Sequence, residues 1–234
     1  FACALPAAAQ EPPKPPLAPP TAAPERIVLN LTADPRTSMA VTWRSAAGSP
    51  PGRVQYAMAG DGPDFVREIT EVPAASRTET LAVEETPNLT ADYHSAVIGG
   101  LKPSTRYVYR VGDGTLWSQW LQFSTAGQPG ERFSFIYMGD AQNDIAAHWG
   151  RVVREAFREG PRAAFVIHAG DLINRHNSDR EWGEWFAAGG THLAETPSVA
   201  TPGNHEYGRG PILSPQWRVQ FTQPQNGPPD VEQI

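Results

Sequence analysis

The period of the hydrophobic residues changes at Gly127-Gln128-Pro129-Gly130, and this change divides the chain into two kinds of structure. Before it, the side chains follow a period of two. Met39, Val41 and Trp43 alternate with Ala40 and Thr42, and Tyr107, Tyr109 and Val111 alternate with Val108 and Arg110. That is the period of strands with one face in a core and one in water. Further strands are predicted at 27–31, 54–58, 78–83, 95–98 and 119–125, separated by Gly- and Pro-rich turns at 48–52, 60–63 and 112–114. Six to eight short strands between residues 25 and 127 predict a two-sheet β-sandwich with a core of its own.

After the break, short continuous apolar runs at 133–138 and 163–168 predict strands buried on both faces, with a shorter strand at 198–201. Between the first two, Ile145, Trp149, Val152, Val153, Ala156 and Phe157 repeat at helical spacing. Asp144 is placed to cap that helix and Gly160-Pro161 to end it. A second helix is predicted at 178–188, where Trp182, Trp185 and Phe186 are expected to pack rather than to bind. Strand, helix, strand, helix, strand over 131–234 is the order of an α/β layer with parallel pairing.

Residues 1–24 belong to neither part. Residues 1–10, FACALPAAAQ, read either as the close of a secretory signal peptide, with cleavage after Ala9, or as an Ala/Pro-rich tail. The first reading predicts a secreted or periplasmic protein. Seven prolines follow between residues 12 and 24 and favour an extended spacer. Cys3 is the single cysteine, which excludes a disulfide framework and a Cys-ligated zinc site. A net charge of −6 argues against a nucleic-acid partner, because no basic surplus exists to neutralise phosphates. No apolar run approaches the roughly 18 residues that cross a bilayer.

Three short motifs stand at the carboxyl ends of the three predicted parallel strands. They are Gly139-Asp140-Ala141-Gln142, Gly170-Asp171-Leu172-Ile173-Asn174 and Gly203-Asn204-His205-Glu206. Asp140, Asp171 and Asn204 are spaced by 31 and 33 residues, each about one strand–helix unit, so the three loops are expected on one edge of the sheet. One Gly-Asp after a strand is commonly a turn. Three in order point to a metal site built from oxygen donors. Two cations roughly 3.5–4 Å apart can clamp a phosphate ester and activate water, and need one carboxylate shared between them. Asp171 is the natural bridge, with Asp140 on one cation and Asn204 on the other. His205 is expected either to protonate the leaving oxygen or to stabilise charge in the transition state. Glu206 and Tyr207 are expected to support it.

The order Gly-Asp, Gly-Asp, Gly-Asn-His-Glu resembles that of calcineurin-like metallophosphoesterases. The stretch Leu101-Lys102-Pro103-Ser104-Thr105-Arg106-Tyr107 resembles a fibronectin type III corner. The module with Val41-Thr42-Trp43-Arg44-Ser45, Val54-Gln55-Tyr56 and Tyr107-Val108-Tyr109-Arg110-Val111-Gly112 resembles the N-terminal domain of purple acid phosphatases. The resemblance implies a fibronectin type III-like domain over 25–127 and the first half of an αββα metallophosphoesterase domain over 131–234. It implies two metal ions (Fe, Zn or Mn), a small phosphorylated substrate, metal ligands at Asp140, Asp171 and Asn204, and a catalytic His205. Purple acid phosphatases carry an iron-binding tyrosine three residues after the second aspartate. Here that position is Asn174, which either binds a cation weakly or only shapes its loop, and Gln142 follows the first aspartate. Both argue against a ferric, purple form.

The family also adds histidine motifs after the third motif, and His94, His148, His168, His176 and His192 match none of them. His168 is expected in the core, His148 on the exposed side of its helix, and His176 near the crevice. With part of its ligands, the 234-residue chain alone is expected to be inactive. A rival from another class is a binding or structural protein that uses the sandwich and carries a degenerate phosphoesterase domain.

Overall fold

The computed structural model describes residues 18–224 and residue 226. The leader-like start, Cys3 and the prolines before residue 18 lie outside the described residues. Eight strands build the sandwich: β1 (Glu25–Asn30), β2 (Met39–Ala46), β3 (Arg53–Met58), β4 (Thr70–Pro73), β5 (Ala75–Leu81), β6 (Leu89–Ile98), β7 (Arg106–Gly112) and β8 (Leu121–Ser124). One sheet runs β4-β3-β7-β8, and the facing strands run β5-β6-β2-β1. Trp43, Tyr109, Leu121 and Phe123 fill the space between them. The corner before β7 closes as its residues predict: the Lys102 backbone N–H donates to the Tyr107 hydroxyl at 2.8 Å.

The second part supplies β9 (Ser134–Met138), α1 (Ile145–Glu159), β10 (Ala163–Ala169), α2 (Asp179–Gly189), α3 (Thr191–Glu195), β11 (Ser198–Thr201) and α4 (Pro215–Gln220). β9, β10 and β11 pair in parallel. Val166 and His168 of β10 are buried, and Trp185 of α2 meets the His168 ring edge-on at 5.1 Å. Trp182, Trp185, Trp217 and Phe221 form one aromatic cluster, as packing residues. Losing a ring of this size from such a core costs about 3–5 kcal/mol. α1 ends at Gly160 as expected, but its start differs. Asp144 sits at the cap position in left-handed backbone, φ 54°, and its side chain makes no capping bond. Val152 turns out to water.

The two parts do not have separate sheets. β1 pairs in parallel with β11, Asn30 opposite Ser198, so that the sandwich strands and the α/β strands form one seven-stranded sheet. Asn30 is fully buried there. Its amide donates to Ser198 O at 3.0 Å, and its Oδ1 accepts from Thr222 N at 3.0 Å. The sandwich core is therefore shared rather than self-contained, since Ala194 of α3 and Val219 of α4 belong to its clusters. β2 departs from its alternation for the same reason. Its second face is also buried, where Thr42 meets Thr222 and Arg44 meets Asp179.

Asp179 is the anchor of that contact. Its carboxylate is fully buried and takes two bonds from Arg26 at 2.8 Å, two from Arg44 at 3.0 and 3.1 Å, and one from Gln216 at 3.0 Å. Burial pushes the Asp179 carboxyl up, but the charges of Arg26 and Arg44 outweigh it and hold the group below the usual range. Glu85, in the loop between β5 and β6, caps α2 from the sandwich side. It accepts from Ser178 Oγ at 2.7 Å, Asp179 N at 3.1 Å and Arg180 N at 3.2 Å.

β9 corrects a second expectation. It is an edge strand with one face covered, not a strand buried on both sides. Phe135 and Tyr137 are 47% and 69% exposed, and Phe135 stacks on Phe165 of β10. The helices cover the opposite face, where Met138 packs against the aromatic core.

Candidate metal centre

The three motifs meet at one end of the parallel strands, the first two through backbone hydrogen bonds. Asp140 N donates to Gly170 O at 3.1 Å, and Gln142 N to Asp171 O at 3.0 Å. Asp140 and Asp171 both stand in left-handed backbone, φ 53° and 52°, each just past the end of its strand. That conformation costs an L-residue roughly 1–2 kcal/mol, and such cost gathers at functional sites. The glycines allow the close approach. A Cβ on Gly203 would lie 2.3 Å from Asp171 Oδ1, and one on Gly170 would lie 2.8 Å from Gly203.

Asp171 is central. Its Oδ1 accepts from His205 N at 2.9 Å, and its Oδ2 from the Gln142 amide at 3.3 Å. Gln142 Oε1 is buried with no hydrogen-bond partner, an acceptor available to a cation. His205 Nδ1 lies 2.7 Å from Asn174 O. A carbonyl only accepts, so Nδ1 carries the proton, and Nε2 is the nitrogen left for proton transfer. Asn174 enters the site through its backbone, since its N–H donates to Glu181 at 2.9 Å. Asn174, Asn204 and His205 line one cavity of about 410 Å³, which His176 also borders. Larger clefts of about 980 and 990 Å³ touch none of the three motifs.

Glu206 does something its position in the motif does not announce. It was expected to support His205, yet its buried carboxylate faces the backbone instead. Oε2 accepts from Asp171 N at 2.9 Å and Gly203 N at 2.7 Å, and Oε1 from Leu172 N at 2.7 Å and Ile173 N at 3.2 Å. One side chain thus clasps the second and third loops together. Burial raises the Glu206 carboxyl above its ordinary range, and the four N–H donors work against that shift. Glu181 has a similar part, holding Asn174 N and Arg175 N. Ser178 caps α2, while the Glu181 carboxylate turns to the preceding loop.

Asp140, Asp171, Asn204 and Gln142 offer the hard oxygen donors that Fe, Zn or Mn accept. In kind they fit; in number they fall short of two coordination shells. Among the described residues no group of three or more His, Cys, Asp or Glu could hold a metal ion.

A parallel sheet with these three motifs at successive strand ends, joined to a β-sandwich, has the layout of a metallophosphoesterase. Residues 24–125 match the family described as purple acid phosphatase, N-terminal domain, and residues 133–229 match the calcineurin-like phosphoesterases. The chain is a purple acid phosphatase-like member of the calcineurin-like phosphoesterases. It is 28% identical over 194 residues to acid phosphatase type 7 of Danio rerio, covering 81% of this chain and 41% of that protein. A relative from Arabidopsis thaliana, described as probable inactive purple acid phosphatase 1, is 25% identical over 130 residues, 48% of this chain and 21% of its own. The chain thus spans less than half the length of either. Among solved structures, a purple acid phosphatase, PPD1, from yellow lupin (Lupinus luteus) seeds shares the fold with a TM-score of 0.72. It is 18% identical, and the match covers 88% of this chain and 41% of that one. PhoD shares it at 0.54 and 19% identity, over 82% and 41%.

Proposed function

We propose that the protein hydrolyses small phosphate esters at a two-cation centre to which this chain contributes Asp140, Asp171 and Asn204, with His205 as general acid. The observation that carries the reading is the convergence of three strand-end loops on Asp171, which joins His205 and Gln142. Bound cations would supply positive charge for the phosphate and activate the attacking water. The chain's own groups do the rest. Asp171, on which the loops converge, would be the carboxylate that holds both cations. Glu206 keeps its loop and the Asn204 loop at a fixed separation. The Nδ1 bond to Asn174 O sets the His205 ring so that Nε2 can give a proton to the departing alkoxide. Asn174, whose backbone does this, belongs to the site as a shaping residue, and its amide is a candidate weak ligand. The ligand shortfall fits a 234-residue chain that is inactive alone. No helix among the described residues is long and apolar enough to cross a membrane, and export to a secreted or periplasmic location rests on residues 1–9.

The test is made in the full-length protein. Asp171→Asn is expected to lower metal content and abolish turnover of a nitrophenyl phosphate. His205→Ala is expected to keep the metals and lose roughly 10²–10⁴-fold in turnover. An unchanged metal ratio and rate in Asp171→Asn would sink the bridging role, and metal loss in His205→Ala would make His205 a ligand.

A further inference from the structure

Resting on the phosphoesterase reading, we propose that the cavity beside His205 receives the alcohol part of the ester. Glu84, carried in by the β-sandwich, makes it prefer neutral or cationic alcohols to those bearing a second anionic group. A general acid must touch the leaving oxygen, so the leaving group lies against the wall that His205 forms. That wall belongs to the cavity of about 410 Å³, within the usual size range of small-ligand sites.

The residues that line the cavity are of polar and charged types, and its charge is unbalanced. The side chains of Asn174, His176 and Asn177 line it, and none has a hydrogen-bond partner among the described residues, so each is available to a hydroxylated ligand. Arg175 is the cation on its wall and is already spoken for. Its Nη1 lies 2.6 Å from Glu84 Oε1 and its Nε 2.9 Å from Glu181 Oε1. Two carboxylates on one guanidinium leave one negative charge beside the leaving group. Glu84 is also held firmly, because its N–H donates to Asn177 O at 2.9 Å and the neighbouring Glu85 caps α2. The catalytic part of the chain is thereby given one wall of its pocket by the other part.

Selectivity is read as a ratio in the metal-loaded, full-length protein: kcat/KM for 4-carboxyphenyl phosphate over that for phenyl phosphate. Glu84→Gln removes the unbalanced charge and leaves Arg175 paired with Glu181 alone, so this ratio should rise about five- to tenfold. It should rise further in Glu84→Lys, and the gain should shrink in 1 M salt. Glu79→Gln, a charge change on β5 outside the cavity, should leave it unaltered. The same ratio is measured by calorimetry with the non-hydrolysable pair 4-carboxybenzylphosphonate and benzylphosphonate. An unchanged ratio in both Glu84 variants would overturn the proposal. If the wild type hydrolyses no phosphate ester, the phosphoesterase reading fails by itself, and the binding ratio alone decides the role of Glu84.

Discussion

Replacing Glu206 by glutamine keeps the shape of the side chain and exchanges one acceptor oxygen for a donor. Four backbone N–H groups converge on the carboxylate, two on each oxygen, at 2.7–3.2 Å. Whichever way the amide turns, its NH₂ faces two of those donors and satisfies neither. A buried donor left without an acceptor costs about 1–3 kcal/mol, so the pair costs about 2–6 kcal/mol. Folded domains have about 5–15 kcal/mol in total, so the loss is large and falls on one place. Hydrogen exchange reads it directly. Among the amides of Asp171, Leu172, Ile173 and Gly203, at least two should lose protection by roughly 30-fold or more, while Val54 and Val111 in the far sheet change less. Affinity for metal should fall in parallel, since the Asp171 and Asn204 loops lose their fixed separation. Protection within threefold of wild type at all four amides would refute the clasp.

Stability should fall in acid through His168. Burial lowers its pKa from 6.5 to about 4, so the unfolded chain takes up the proton first as pH drops. Its contribution is intact above pH 6.5 and lost toward pH 4, up to about 3 kcal/mol; thermal melts of His168→Phe should show a shallower slope across that window, and an identical slope would count against it. Asp179→Asn leaves the buried Arg26 without its counter-charge and Arg44 with Glu25 alone, and should cost about 3–5 kcal/mol. Limited proteolysis should then cut near residues 126–130 faster than in wild type, and equal rates would contradict the coupling. Metal-replete full-length protein should lack a violet-to-green absorption band, because Asn174 stands where a phenolate would bind iron. A band lost on chelation would contradict that.

Local patterns reported burial well and partners poorly. The period change at 127–130 separated the strand-rich part from the α/β part, and Trp182, Trp185 and His168 were legible as core from the apolar residues around them. Nothing near Asn30 signals that it pairs with Ser198 across 168 residues of chain. The same blindness made β2 look half exposed, since Thr42 and Arg44 are polar and yet covered, the first by Thr222 after β11 and the second by Asp179 of α2. β4 escaped notice because Thr70-Glu71-Val72-Pro73 has one apolar side chain before its proline. At the site, the motif order was readable, as the chemistry constrains residue types at strand ends. The partners of Glu206 and Glu84 were not, because both act through atoms that every residue carries or through loops far off in sequence.

The parallel pairing of β1 with β11 also bears on how the chain is made. β1 gains β2 within a few residues, but its other edge stays bare until Ser198 has left the ribosome. At about 5–20 residues per second that interval is roughly 10–30 s. A bare edge is a template for strands of other nascent chains. Asn30 sits on it with an amide that needs an acceptor and a donor at fixed places, which Ser198 O and Thr222 N provide. A foreign strand lacking either would bury an unmatched polar group, so the asparagine tilts the competition toward the late-arriving native partner.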